Sequence, residues 1–216
     1  MLALAAAIAF QNNTLPEKAV VAYSGIPKIT GQNIAIQSHT VTITVSKEFA
    51  DVSSLTLIKN NGAAGNAVIL IPGFQTAGTA SVPSVSATWT NIAVPLLREP
   101  MMSIPEARNP SVRFSGSGPM QNLGTYALRI SYRLPIGRSG FDHKQYLGAY
   151  DLTSPVPIGT LMVTYNYAKG VVFHEPEAGP NLGWQVGEKG AFVKVVNYDG
   201  KAGLSYCAFY SGGFGG

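Results

Sequence analysis

Thr125 to Leu134 reads TYALRISYRL, and the alternation in this stretch decides the fold. Tyr126, Leu128, Ile130, Tyr132 and Leu134 fall on one side at a period of two; Ala127, Arg129, Ser131 and Arg133 fall on the other. A strand throws successive side chains to opposite faces, so this is a half-buried strand with an apolar inner face and a wet outer one. The same pattern recurs along the chain. His39 to Val45 (HTVTITV) sets Val41, Ile43 and Val45 against Thr40, Thr42 and Thr44, and Thr160 to Tyr167 (TLMVTYNY) aligns Leu161, Val163, Tyr165 and Tyr167. Ser54–Ile58, Ser84–Leu97 (interrupted by Pro95), Gly170–Phe173, Ala191–Tyr198 and Leu204–Tyr210 are further strand candidates. Ala67 to Ile71 (AVILI) is apolar on both faces, as for a strand covered on both sides and ended by Pro72-Gly73. Asn60-Asn61-Gly62 supplies a turn. The segment Arg98–Pro110 reads as loop.

No stretch carries a sustained helical stripe. Many short strands with regular turns predict an all-β fold, an antiparallel β-sandwich of jelly-roll type, with a closed barrel as the alternative. The 216 residues divide into an extended N-terminal arm and lead-in over 1–33, a single sandwich domain over 34–210 and a Gly-rich tail over 211–216.

Hydrophobic residues make up 46% of the chain and charged ones 12%, about half the usual share, a balance that excludes disorder. A surface this poor in charge favours association. The net charge is +4, and the excess sits between Arg98 and Lys144. Within that segment Arg113, Arg129, Arg133 and Arg138 are candidates for nucleic-acid contact or for salt bridges between subunits; Glu99, Glu106 or Asp151 would be the acidic partners in the second case. The plainer reading of alternating arginines is the wet face of a strand.

The amino end, MLALAAAIAF over Met1–Phe10, is an uncharged ribbon with Leu2, Leu4, Ile8 and Phe10 on one face and alanines on the other. It has no basic start as a secretory signal would, and it falls short of the ~20 apolar residues of a membrane span. The ribbon is therefore expected either to be a first strand of the chain's own sheet or to be a subunit-contact arm that packs on a neighbouring copy through Leu2, Leu4, Ile8 and Phe10, and no membrane partner is expected.

The motifs of catalysis are missing from the sequence. His39, His143 and His174 are far apart and make no ligand pair, so no metal site is expected. His174-Glu175-Pro176-Glu177 reads as a solvated loop. Gly116-Ser117-Gly118 lacks the flanks of a nucleophile elbow and opens no helix that could cradle phosphate. The single cysteine, Cys207, is expected to be a buried apolar residue. Trp89 and Trp184 are too far apart to suggest the aromatic row of a carbohydrate-binding sandwich. Tyr126, Tyr132, Tyr165 and Tyr167 are expected in the core or at a subunit contact. The chain is expected to be no enzyme and to need no cofactor.

Three segments are similar to shell-domain strands of small icosahedral virus coat proteins: His39–Val52 (HTVTITVSKEFADV), Leu128–Pro135 (LRISYRLP) and Ile158–Tyr167 (IGTLMVTYNY). The resemblance implies a jelly-roll capsid subunit in a virion shell, self-assembling in many copies, alone or with other shell proteins, and touching nucleic acid without reading its sequence. It carries over no catalytic residues. The alternative expectation is an extracellular, cell-surface filament or pilus subunit, polymerising by donor-strand complementation through residues 1–10.

Overall fold

The computed structural model describes residues 23–75, 84–100, 111–135, 137–138, 144–177 and 179–210. The arm residues Leu2, Leu4, Ile8 and Phe10, the tail 211–216, and Glu106 and His143 lie outside them. The described residues are strands and turns without a helix. In chain order the strands are β1 (Tyr23–Gly25), β2 (Lys28–Thr30), β3 (Ile34–Val45), β4 (Phe49–Asn60), β5 (Gly65–Gln75) and β6 (Val85–Trp89). Next come β7 (Ile92–Ala93), β8 (Leu97–Pro100), β9 (Ser111–Met120), β10 (Thr125–Pro135), β11 (Gly137–Arg138) and β12 (Lys144–Asp151). The last five are β13 (Ile158–Tyr167), β14 (Val172–His174), β15 (Gln185–Gly187), β16 (Gly190–Tyr198) and β17 (Leu204–Tyr210).

They form three sheets. The large one has eight strands in the order β15-β16-β13-β3-β4-β10-β6-β7. A four-stranded sheet runs β2-β5-β9-β8, and a five-stranded one runs β1-β12-β17-β14 with β11 also on β12. Most pairs are antiparallel, but β13 runs parallel to β3 and β1 parallel to β12. The core unites all three sheets: Ile43, Ile58 and Leu128 from the large one, Ile69 and Ile71 from the four-stranded one, Leu147, Tyr150 and Cys207 from the five-stranded one.

Alternation builds the large sheet as its sequence requires. On β10, Leu128, Ile130, Tyr132 and Leu134 are buried while Arg129, Ser131 and Arg133 are exposed. On β13, Leu161, Val163, Tyr165 and Tyr167 face inward. Two tyrosines of this core tie one sheet to another through their hydroxyls. Tyr132 of β10 meets Ser24 of β1, and the Tyr165 hydroxyl lies 3.0 Å from the Gly148 carbonyl of β12 and 2.9 Å from Ser205 Oγ of β17.

Several expectations need correction. Residues 1–33 are not all lead-in, because β1 and β2 belong to two of the sheets and Ile26 and Ile29 are core residues. The AVILI stretch is not covered on both sides: Val68 is 46% exposed. Nor does Pro72-Gly73 end the strand; a register shift between Ile71 and Phe74 lets β5 pair with β9 as far as Gln75. A bulge absorbs the residue that cannot donate to the ladder. His174 does not sit in a loop but closes β14, its ring stacked on Tyr206 at 4.6 Å.

Candidate functional site

Two groups that might suggest catalysis, His39 and Cys207, are sealed in the core. His39 is fully buried, with Nδ1 2.9 Å from Thr56 Oγ1 and Nε2 2.9 Å from the Tyr150 hydroxyl. Burial disfavours the imidazolium and lowers its pKa to about 3, so the ring is neutral and bridges β3 to β12. The Cys207 thiol is buried, and burial pushes its pKa up, which suits an inert thiol rather than a nucleophile. Among the described residues no group of three or more His, Cys, Asp or Glu comes together as a metal centre. Gly116-Ser117-Gly118 runs inside β9, and the Trp89 indole lies against Gly118, leaving no room for a Cβ. Trp89 is buried, stacked on Tyr126 at 5.2 Å, and donates from Nε1 to the Pro119 carbonyl at 2.9 Å. Trp184 packs on Phe173 at 4.6 Å. Neither tryptophan forms part of an exposed platform.

The outer face of the large sheet is different. Cross-strand register aligns Thr164 (β13), Thr42 (β3), Ser53 (β4), Ser131 (β10) and Ser86 (β6) in one row. Strands in a sheet are 4.7–4.9 Å apart, so these five small hydroxyls span about 19 Å. Four of them, with Thr44, Asp51 and Ser84, line a depression of about 390 Å³. The hydroxyls are half-buried or exposed, and each can both donate and accept. One row along, Arg133 closes on Asp51 with two hydrogen bonds of 2.7 and 3.0 Å and lies 3.6 Å over the Phe49 ring. That fork fixes the Asp51 carboxylate beside the hydroxyls.

The four arginines singled out from sequence do not share a face. Arg129 and Arg133 project from the outer face of β10, Arg113 belongs to β9 of the four-stranded sheet, and Arg138 to β11 of the five-stranded one. Within the chain Arg133 pairs with Asp51. Glu99 and Arg113 are register partners in the β8–β9 ladder. The hydroxyl row escaped sequence reasoning because it depends on the register of five strands. Its only signal is that Thr42 and Ser131 fall on the polar sides of their alternations.

Three sheets about one core define the described residues as an all-β sandwich, and a solved structure shares that fold. A protein from Legionella pneumophila subsp. pneumophila str. Philadelphia 1, described as nutrient-binding, aligns with a TM-score of 0.66 at 12% identity, covering 88% of this chain and 71% of its own. An M1 zinc metallopeptidase from Deinococcus radiodurans gives 0.42 at 10% identity, covering 84% and 43%. A protein from Parabacteroides distasonis described as a protease gives 0.48 at 8% identity, covering 84% and 41%. The chain thus spans less than half the length of both peptidase-class proteins. No family model and no curated protein matches the sequence.

Proposed function

We propose that the chain is a non-catalytic binding module whose working surface is the outer face of the large sheet. The observation that carries this reading is the in-register row Thr164–Thr42–Ser53–Ser131–Ser86 over a shallow depression. A row of small hydroxyls on a rigid sheet offers pre-ordered hydrogen bonds to an extended polar ligand at little entropic cost. The burial of His39 and Cys207 argues in the same direction, since neither can meet a substrate. The Legionella protein of similar fold is described as binding a nutrient, a use of the scaffold compatible with this one.

The test is affinity electrophoresis through gels carrying dextran or polygalacturonate. The intact chain is retarded by at least one polymer, and the double variant Ser53→Trp/Ser131→Trp, which blocks the row, binds at least about tenfold more weakly with an unchanged melting temperature. Equal retardation of the variant, or none of the intact chain, contradicts the reading.

A second reading, a self-assembling subunit, rests on a different face. On the outer side of the four-stranded sheet Val68 and Leu97 are 46% and 65% exposed, and Leu97 shares a row with Leu70 through Ser115. Apolar side chains grouped on a sheet favour contact with another copy. A virus shell or a donor-strand filament would be particular forms of such assembly. The jelly-roll form draws less support, because a jelly roll divides eight strands between two sheets and the described residues form three sheets with two parallel pairs. Sedimentation of the intact chain decides: one species at monomer mass contradicts assembly.

A further inference from the structure

We infer that the ligand of this face is an acidic polysaccharide, a deduction that rests on the binding-module reading above. Beside the hydroxyl row runs a second row, Lys194–Met162–Thr40–Leu55–Arg129, aligned across β16, β13, β3, β4 and β10. A cation stands at each end, about 19 Å from the other by strand spacing. The two rows are two residues apart along the strands, about 7 Å.

Charge on the face is one-sided. Lys59, Arg129, Arg133 and Lys194 project from it, and Asp51 is its only carboxylate among the described residues. Asp51 is already held by Arg133, and Lys59 donates to the Leu123 carbonyl. Arg129 and Lys194 are exposed, and no carboxylate among the described residues pairs with either. A small anion could meet one of these cations but could not span both. A chain with anionic groups along its length can meet both while its hydroxyls follow the Ser and Thr row.

Nucleic acid fits less well. Single strands are held by aromatic side chains on which successive bases stack. Here Phe49 lies beneath Arg133, and Phe192 stands alone at the far end of the hydroxyl row. A duplex carries one charge per ~1.7 Å of axis, and two free cations so far apart do not match that density. A sugar polymer with sparser charge and many hydroxyls does.

The experiment is calorimetric titration of the intact chain with polygalacturonate, dextran and single-stranded poly(dT). The expected result is that polygalacturonate binds at least about tenfold more tightly than either other polymer. That binding weakens markedly between about 0.05 M and about 0.5 M salt. Arg129→Glu/Lys194→Glu reduces it at least about tenfold, and the milder Arg129→Gln/Lys194→Gln reduces it less. Circular dichroism of all variants matches that of the parent. Dextran bound as tightly as polygalacturonate, and lost in the Ser53→Trp/Ser131→Trp variant, overturns the acidic class while the working face stands. Binding of any polymer that survives that variant overturns the face itself. Tighter binding of poly(dT), charge variants equal to the parent, or no binding of any polymer each overturns the inference.

Discussion

His39 joins two sheets as a buried, uncharged ring. Its ring nitrogens are both engaged, by Thr56 and Tyr150, and its surroundings offer no carboxylate to stabilise an imidazolium. The native pKa is lowered to about 3 from an ordinary value of 6.5. Between those values the unfolded chain binds the proton and the native one does not, so stability rises with pH there and falls as the medium is acidified below 6.5. The expected slope is about 1.4 kcal/mol per pH unit, reaching about 3 kcal/mol by pH 4. Urea melts of the parent and of His39→Gln isolate it: the variant is less stable at neutral pH but loses less on acidification. Equal acid slopes in the two proteins contradict the neutral-bridge account. In the sequence His39 looks like any polar residue at the head of a strand; its role depends on Tyr150, more than a hundred residues away.

At the scale of the element, β12 shows how a local break serves the packing. Its register with β17 shifts between Leu147 and Tyr150, and Gly148 in that gap has a φ of 58°. The shift lets Leu147 and Tyr150 both enter the core, while the Gly148 carbonyl accepts from Tyr165. A Cβ on Gly148 would stand 2.7 Å from Ile43 Cγ2. Gly183 also has positive φ, at 72°, but open space around it. Gly148→Ala therefore costs about 1–3 kcal/mol from backbone strain plus the clash, and Gly183→Ala costs only the strain. Chemical denaturation of both variants reads the difference; equal losses would remove the packing role assigned to the bulge. Elements of this kind mark the limit of what the sequence reveals. β10 and β13 were legible to within two residues because alternation states both the strand and its inner face. The break in β5 after Ile71, the bulge in β12 and the parallel pairing of β13 with β3 were not, because pairing partners leave no periodic trace in one chain.

For the whole molecule, all-β architecture followed from composition and alternation, whereas the allocation of strands to three sheets did not. That allocation also decides the site. Thr42 and Ser131 become neighbours of one row only because β3, β4 and β10 are consecutive in the large sheet, while Arg113 leaves the arginine group because β9 joins another sheet. The outcome is a molecule with two contrasting outer faces: a hydroxyl-lined one flanked by cations, and an apolar one around Val68 and Leu97. The most direct test of which face works is methyl NMR of the intact chain during titration with polygalacturonate. The account predicts shifts at the Thr42, Thr164 and Met162 methyls while those of Val68 and Leu97 stay still. Shifts confined to Val68 and Leu97, or none on the large sheet at saturation, would contradict it.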